Sequence, residues 1–499
     1  MKDKLLGIDA GNTLIKAALY DLNGNELASA GLSTKSITPA TGYNERDMDE
    51  FYQAVCYTVK EVIQAAGINS EEIACISLTG HGKGLYLWGK DNAPAYNGIL
   101  STDTRADSYI KEWYSAGLNR IVYPSTMQSI LVSQPCVLLR WMKDNKPDVY
   151  RNIKWVFEAK DYIRFRLTGE AYAEITDYSG TSLMNLPSRK FDPFLFEQFG
   201  IPEMLDCMPP VRDSFDICGY ITKEAAQLTG LCEGTPVAGG MFDIDSSALA
   251  MNIADESSIC VIAGTWSINE YISKTPVTDG SVAMNSIYCL PDYYLIEESS
   301  PTSAGNLEWF VKNILDTDYS IKGKSIYKYV DSLVNSISSD DCDLFFLPHI
   351  YGNSINPSAR GAFIGLSSKH TKAHMLRAIF EGIVFNHYFH IERLLSSRDK
   401  PKSMRLAGGA ANSAVWVQMF ADVIGLPTEV VRINELGTLG CAVNAAVACG
   451  LYENINAAIE NMTHAPLLIE PNMETHNAYK AKYLKYKQIV QLLDPLWDL

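Results

Sequence analysis

The sequence has no excess of positive charge and no long apolar run, and each absence excludes a class of protein. Asp and Glu outnumber Lys and Arg by 58 to 42, and the net charge of −16 argues against broad binding to nucleic acid or to an anionic membrane surface. No stretch reaches 18 uninterrupted apolar residues, so we expect no transmembrane helix. A local basic pocket for a small anion remains compatible with this balance.

Paired cysteine motifs are also missing. The 11 cysteines include no Cys-x-x-Cys pair, which argues against structural zinc, and their odd number fits reduced thiols better than a disulfide framework. Only a short apolar stretch precedes Asp9, so we expect no signal peptide and a cytoplasmic location. The histidines are expected to be packed or surface groups, because none lies in a His-Glu-x-x-His setting.

The length of 499 residues exceeds the roughly 250–300 at which a single core stops growing, so at least two domains are expected. Strand-like and helix-like segments alternate, which favours an α/β fold. Helices are predicted around 48–66, 371–396 and 437–450, and the segment 73–83 is predicted to be a strand that ends in a Gly-rich loop. Two similar hairpins about 250 residues apart, at 4–21 and 257–273, suggest two similar halves, 1–250 and 251–499.

The turns of these hairpins are the first candidate sites. In Asp9-Ala-Gly11-Asn12-Thr13, glycine permits close approach of backbone amides to a phosphate, the polar side chains add donors, and Asp9 can hold a hydrated Mg2+. The alternative is an ordinary turn with a solvated aspartate. Gly264-Thr265 offers similar donors without an acidic partner, so the two turns together could clamp a polyphosphate.

A third candidate turn, Gly408-Gly409-Ala410, lies between a predicted strand and the helix of segment 404–425. Bare backbone there lets a flat base or a phosphate lie close, and the helix N-terminus adds positive potential. No GxGxxG motif follows the first strand, and the Gly-Lys-Ser at 323–325 has Asp318 where a P-loop has its first glycine. These departures exclude a Walker-type nucleotide site.

Asp243 and Asp245 follow Gly239-Gly240 and precede an Ala/Leu-rich helical segment, as at a strand-to-helix junction. Either carboxylate could be a general base. Either could equally be a helix N-cap, which is the commonest use of Asp at such a position.

Two longer stretches resemble the FGGY family of carbohydrate kinases. Gly361-Ala-Phe-Ile-Gly365-Leu366, seven residues and then a run from His374 to Glu381 match the family's C-terminal signature. The segment 133–145 matches an earlier signature, except that Leu138 stands where lysine is usual. The resemblance implies two actin-like, ribonuclease-H-like α/β domains with an interdomain active-site cleft. It also implies that residues 1–250 mainly bind sugar and that residues 251–499 mainly bind ATP.

The same resemblance implies roles for individual residues. Asp243 is the implied catalytic base, with Asp245 the lesser choice, and Asp9 is the implied Mg2+ group. The implied phosphate contacts are Gly11, Asn12, Thr13, Gly264 and Thr265. The implied adenosine contacts are Gly408, Gly409, Ala410 and Asn412, and the implied sugar contacts are His81, Gly82, Lys83, Asp103 and Arg105.

The implied activity is ATP- and Mg2+-dependent phosphorylation of the terminal hydroxyl of L-xylulose or a related ketose or keto-sugar acid. Another acceptor such as D-xylulose, D-ribulose or erythritol is an alternative, because one stereocentre changes such specificity. A non-catalytic actin-like ATP-binding protein is a more distant one, since Asp243 and the sugar loop would then have no purpose. Dimers are frequent in families of this kind, so a homodimer is among the assemblies open to the chain.

Overall fold

Strands and helices alternate along the chain in the computed structural model, which describes residues 2–315, 325–396, 398–433, 435–463 and 465–497. Asp318 and the first two residues of the Gly-Lys-Ser stretch lie outside the described residues. The helices are α1 Met48–Ala66, α2 Asp107–Ser115, α3 Leu118–Thr126, α4 Pro135–Asn145, α5 Pro147–Asn152, α6 Ala159–Thr168, α7 Ile175–Ser179, α8 Pro193–Gln198, α9 Lys223–Thr229, α10 Asp243–Ala250, α11 Gly305–Phe310, α12 Ile326–Asn335, α13 Lys372–Leu395, α14 Ala414–Ile424, α15 Leu436–Ala448, α16 Ile455–Met462 and α17 Met473–Leu493.

The strands in the first half are β1 Lys4–Ala10, β2 Leu14–Tyr20, β3 Glu26–Ser33, β4 Glu45–Arg46, β5 Ile73–Gly80, β6 Tyr86–Gly89, β7 Gly98–Ile99, β8 Ile153–Phe157, β9 Ala173–Glu174, β10 Met184–Asn185, β11 Lys190–Phe191, β12 Val211–Arg212, β13 Ile217–Tyr220, β14 Pro236–Ala238 and β15 Met241–Phe242. Those that follow are β16 Ser258–Ala263, β17 Ser267–Ser273, β18 Met284–Ile287, β19 Tyr294–Ser300, β20 Phe345–Leu347, β21 Ala362–Ile364, β22 Ser403–Ala407, β23 Thr428–Val430 and β24 Leu467–Ile469.

The chain forms two compact units whose segments interleave along the sequence. The first unit comprises Met1–Ala254, Lys274–Leu295 and Glu435–His464, and the second comprises Asp255–Ser273, Ile296–Asn434 and Ala465–Leu499. The predicted domain boundary between residues 250 and 251 stays a prediction. In the structure, the segments Lys274–Leu295 and Glu435–His464, which come after that boundary, belong to the first unit.

The sheet of the first unit brings the ends of three strands to one edge. Its strands run in the order β13-β14-β5-β1-β2-β3, with β15 also paired to β5. Strand β1 is parallel to β5 and antiparallel to β2, and Phe242 of β15 pairs in parallel with Gly80 of β5. Because carboxyl ends of parallel strands meet at one edge, the residues that follow β1, β5 and β15 gather there.

Helices α1 and α15 show why these segments fold as the sequence predicts. In α1, Phe51, Val55, Val59 and Val62 recur at helical spacing and are buried, while Asp47 accepts the Glu50 amide as the N-cap. Helix α15 is rich in small residues and packs close to its neighbours, as predicted, and the structure shows that these neighbours are β1 and α10. A Cβ added at Gly440 would lie 2.0 Å from the Ser246 carbonyl oxygen.

The second unit contains another sheet, in which an antiparallel hairpin again lies beside a parallel strand. Its strands run β19-β17-β16-β22-β23-β24, with β16 and β17 forming an antiparallel hairpin and β16 parallel to β22. Ile262 of β16 pairs with Ala407 of β22, so the turns that follow these two strands lie side by side. This register places Gly264 next to Gly408.

Candidate active site

Asp9 lies near the end of β1, opposite Lys16 of β2. Lys16 forms a 2.7 Å ion pair with Glu435. Burial raises the pKa of the Asp9 carboxyl to about 6; Lys16 opposes this rise and Glu435 adds to it. A bound cation would stabilise the ionised form of this carboxylate. A Cβ at Gly437, at the start of α15, would lie 2.9 Å from Asp9 Oδ2, so α15 closes one side of this group.

The turn at Gly11, Asn12 and Thr13 is held by its carbonyl groups. Arg46 donates to the carbonyl of Gly11 at 3.3 Å and to that of Asn12, and Thr34 Oγ1 donates to the Asn12 carbonyl at 2.8 Å. The Asn12 side chain donates to Ser101 Oγ at 2.5 Å. Side chains thus fix the conformation of this predicted phosphate loop, with Thr13 exposed.

Asp243 is the first residue of α10, directly after β15, and is half-buried. Phe242 occupies the N-cap position and makes no side-chain capping bond, so the N-cap interpretation of Asp243 and Asp245 is wrong. Asp245 is fully buried, and its Oδ1 accepts the Cys289 amide at 3.0 Å. The two carboxylates therefore have different surroundings, and Asp243 is the more accessible.

The predicted sugar loop follows β5. His81 is buried, its Nε2 lies 2.9 Å from the Tyr86 hydroxyl, and burial together with nearby Arg46 lowers the pKa of its imidazole to about 3. A Cβ at Gly82 would lie 2.4 Å from the Phe242 ring. Only glycine fits there, because the loop lies directly against the residue before Asp243. Lys83 Nζ is 6.0 Å from the centroid of the same ring.

Asp103 and Arg105 form a buried ion pair with an Oδ2–Nη2 distance of 2.8 Å. Arg105 Nη2 also lies 2.7 Å from Glu45 Oε1, and its guanidinium lies 4.1 Å from the Tyr43 ring centroid. The Asn44 amide donates to the Asp103 carboxylate at 2.6 Å. Neighbouring side chains and backbone of the protein thus bind both the carboxylate of Asp103 and the guanidinium of Arg105.

A buried cluster behind the sugar loop was not predicted from the sequence. Lys160 Nζ lies 2.6 Å from Asp161 and 3.2 Å from both Glu174 and Asp177. Burial opposes the charge of Lys160, but the carboxylates raise its pKa above the usual range. Asp177 Oδ1 would lie 2.9 Å from a Cβ at Gly82. No periodic pattern in the sequence predicts that these charged residues are buried together. The one available signal was that Lys160 and Asp161, which have opposite charges, are adjacent in the sequence.

In the second unit, the predicted phosphate and adenosine turns meet. The Ala304 amide donates to the Gly264 carbonyl at 2.8 Å. Gly408 has φ 87°, and a Cβ there would lie 2.7 Å from the Ala263 carbonyl. Close backbone contact between the turns therefore requires glycine at position 408.

A cavity of about 560 Å3 opens at these turns. Its volume suits a nucleotide-sized ligand. The predicted residues that line it are Gly264, Thr265, Gly409 and Asn412, while Ala410 is buried beside them. Its aromatic wall includes Phe380 and Trp416, whose rings stack at 4.3 Å. Tyr327, Lys328 and Asp331 of α12 also line the cavity, and no sequence motif marked them.

Comparison with known proteins identifies the family. Residues 4–250 match the N-terminal domain of the FGGY family of carbohydrate kinases, and residues 259–449 match its C-terminal domain. The chain belongs to this family. This FGGY kinase is therefore an ATP-dependent sugar phosphotransferase, and the predicted family and enzyme class are confirmed.

Relatives and solved structures match nearly the whole FGGY kinase. It is 36% identical to the L-xylulose/3-keto-L-gulonate kinase of Escherichia coli (strain K12), covering 98% of this chain and 97% of that protein. A probable L-xylulose kinase of Pasteurella multocida is also 36% identical, covering 98% of each chain. The gluconate kinase structure from Lactobacillus acidophilus matches with a TM-score of 0.90 at 26% identity and 98% coverage of each chain. The predicted two-domain α/β fold class is thereby confirmed.

Within the part of the chain that the structure describes, no helix combines the length and apolar character needed to span a membrane.

Proposed function

We propose that this FGGY kinase transfers the γ-phosphate of ATP to the terminal hydroxyl of L-xylulose or a closely related ketose. One observation carries the proposal of a sugar site: His81 and Asp243 follow adjacent strands, and the Gly82 position lies against Phe242. Relatives that match end to end and carry the name L-xylulose kinase support the choice of acceptor. We assign sugar contacts to His81, Gly82 and Lys83, with Asp103 and Arg105 nearby.

In the proposed mechanism, Asp243 accepts the proton of the sugar hydroxyl as that oxygen attacks the γ-phosphorus; the bond from the γ-phosphorus to the bridging oxygen breaks, and ADP leaves. Its position at the start of a helix leaves the carboxylate half-buried and accessible. Gly11, Asn12, Thr13, Gly264 and Thr265 bind the phosphates, and Gly408, Gly409, Ala410 and Asn412 adjoin the adenosine.

Asp9 is the residue that would hold Mg2+. Its partly buried carboxylate at a strand end fits a hard cation, and Mg2+ commonly uses one or two carboxylates together with substrate phosphates. In the described ranges no group of three or more His, Cys, Asp and Glu side chains could hold a metal. A single carboxylate with ATP oxygens therefore suits this chain. When bound, the cation neutralises charge on the phosphate oxygens.

Substitution of Asp243 tests the assigned base. Asp243→Asn is expected to fold, bind ATP and lose turnover by roughly a factor of 10²–10⁴, the range for a removed general base. The matched control is Asp107→Asn, because Asp107 is also the first residue of a helix but is exposed beside Lys111. A near-normal rate for Asp243→Asn would refute the assignment.

The acceptor is tested by ADP release with MgATP over a panel of sugars. The panel holds L-xylulose, D-xylulose, D-ribulose, L-ribulose, 3-keto-L-gulonate, gluconate, glycerol and erythritol. Strong turnover on L-xylulose supports the proposal. Strong turnover on a different neutral member alone would keep Asp243 and change the sugar.

A keto-sugar acid is the second candidate, favoured by the cation of Lys83 in the sugar loop. If Lys83 binds a substrate carboxylate, Lys83→Met should reduce activity on 3-keto-L-gulonate far more than on L-xylulose. Equal losses on both would contradict charge recognition.

We also propose a cytoplasmic homodimer, and light scattering that gives the mass of a single chain would contradict the dimer.

A further inference from the structure

A buried histidine of the second unit has no role in the chemistry described above. His387 of α13 is fully buried. Its Nδ1 lies 2.8 Å from Asn269 Oδ1 and 3.0 Å from Ser267 Oγ, and its Nε2 lies 2.8 Å from Ser303 Oγ. Both ring nitrogens therefore bind residues of other elements: β17 on one side and the turn before α11 on the other.

The hydrogen-bond pattern fixes the tautomer of this imidazole. Asn269 Nδ2 donates to Ser267 Oγ at 3.1 Å and to the Glu298 carbonyl at 3.3 Å, so Asn269 Oδ1 must accept from His387. Nδ1 therefore carries the proton, and Nε2 accepts the Ser303 hydroxyl. Burial, with a smaller contribution from His390, lowers the pKa of His387 to about 3, so the ring keeps both roles near neutral pH.

Both sides of this network lead to the predicted phosphate loop. Ser267 stands two residues after Thr265 on β17. On the other side, the residue after Ser303 donates its amide to the Gly264 carbonyl at 2.8 Å. A Cβ at Gly305 would lie 3.4 Å from the Thr265 carbonyl oxygen, so this turn packs directly on the loop. A shift of Ser303 or Ser267 therefore moves Gly264 and Thr265.

We propose that His387 is a positioning residue for nucleotide binding: through Ser267 and Ser303 it fixes the Gly264–Thr265 loop against the turn before α11. Its ring is fully buried and does not line the cavity at these turns. This inference rests on the proposed phosphate-binding role of Gly264 and Thr265. Interactions that hold a loop in its binding conformation reduce the cost of ordering it when the ligand arrives.

The test compares His387→Gln with His390→Gln. His390 lies on the same helix and is equally buried, but its Nδ1 faces Glu298 Oε2 at 3.0 Å instead of the loop. We expect His387→Gln to lower kcat/KM for MgATP and the affinity for ADP by about tenfold, the effect of one misplaced buried hydrogen bond. The KM for the sugar should stay within about twofold. His390→Gln should lose thermal stability without a change in ADP affinity.

A second pair keeps the test decisive if His387→Gln does not fold. Ser303→Ala removes the hydroxyl that binds Nε2, whereas Ser300→Ala removes a buried hydroxyl that has no hydrogen-bond partner among the described residues. Ser303→Ala should weaken ADP binding severalfold, and Ser300→Ala should not. In the double variant of His387 and Ser303, the losses of ADP affinity should be less than additive, because both substitutions remove the same hydrogen bond, the one between His387 Nε2 and Ser303 Oγ.

The outcomes separate this inference from the proposed function. ADP affinities of His387→Gln and Ser303→Ala equal to those of their controls would overturn the positioning role. If the unchanged FGGY kinase bound ADP normally in that experiment, the proposed ATP site would stand. If Thr265→Ala left ADP and ATP binding unaltered, the assigned phosphate loop itself would be wrong, and the inference would fall with it.

Discussion

Replacement of Gly408 by alanine tests the geometry of the proposed adenosine turn most directly. Gly408 has φ 87° and ψ −168°, a region that is essentially restricted to glycine and costs other residues about 1–3 kcal/mol. The added methyl would also lie 2.7 Å from the Ala263 carbonyl carbon and oxygen and 3.0 Å from the Gly264 nitrogen. These atoms are backbone, so the turn itself has to move.

The two contributions can be combined into an expected loss. Overpacking of this kind costs about 1–3 kcal/mol, so the two contributions sum to about 2–6 kcal/mol, and we expect a loss of about 4 kcal/mol for Gly408→Ala. For a unit of this size, that corresponds to a decrease in Tm of roughly 8–16 °C. Because the methyl pushes on Gly264, ADP affinity measured by titration calorimetry should fall by about tenfold or more.

The neighbouring glycine provides the control for this variant. A Cβ at Gly409 would meet only the Ala263 carbonyl oxygen, at 3.8 Å, which is an ordinary contact. Gly409→Ala should therefore melt within about 1–2 °C of the parent protein, the shift of a substitution without strain. Equal melting temperatures for Gly408→Ala and Gly409→Ala, by differential scanning calorimetry, would refute the reasoning from backbone strain and contact.

Three further outcomes follow from the structure. Burial, reinforced by the charge of His390, lowers the pKa of His349 to about 4, below the unfolded value near 6.5, so stability should fall by about 1.4 kcal/mol per unit as the pH drops from 6.5 towards 4. Urea denaturation at pH 7 and pH 5 should show a smaller loss for His349→Gln; an unchanged loss would contradict this. Arg105→Lys should cost about 3 kcal/mol by the same assay, because lysine lacks the guanidinium fork that binds Asp103, and a loss below about 1 kcal/mol would contradict a structural role for the pair. Gly437→Ala should displace the Asp9 carboxylate and raise the Mg2+ concentration for half-maximal rate by about tenfold, while an unchanged requirement would argue against Asp9 as the metal group.

Local patterns in the sequence predicted most of the elements that carry the site. The helix predicted at 48–66 is α1, the one predicted at 371–396 is α13, and both Gly-containing hairpin turns lie between paired strands. These predictions are confirmed because apolar spacing and turn glycines act over a few residues. The family signatures then supplied positions for the site that no single turn could establish.

Interactions between distant residues were beyond such patterns. Arg105 binds Glu45 across 60 positions, and His387 meets Ser267 across 120. The N-cap interpretation of Asp243 was wrong because the strand pairing of Phe242 sets where α10 begins, and composition does not report that register. Likewise, the residues of α12 that line the cavity lie beside the turns at Gly264 and Gly409 only through the fold of the second unit.

The close packing of α15 on β1 also sets the order in which parts of the first unit can fold during synthesis. A Cβ at Gly7 would lie 2.1 Å from the Thr438 carbonyl oxygen, so β1 and α15 are built to be in direct contact. Yet α15 begins roughly 140 residues after Leu295, the end of the preceding segment of the first unit, a delay of about 7–28 s at ordinary elongation rates. During that interval the nascent chain displays an uncovered sheet face. An incompletely covered sheet of this kind is prone to aggregate, so the wait for α15 is the step of synthesis at which the chain is most exposed to misassembly.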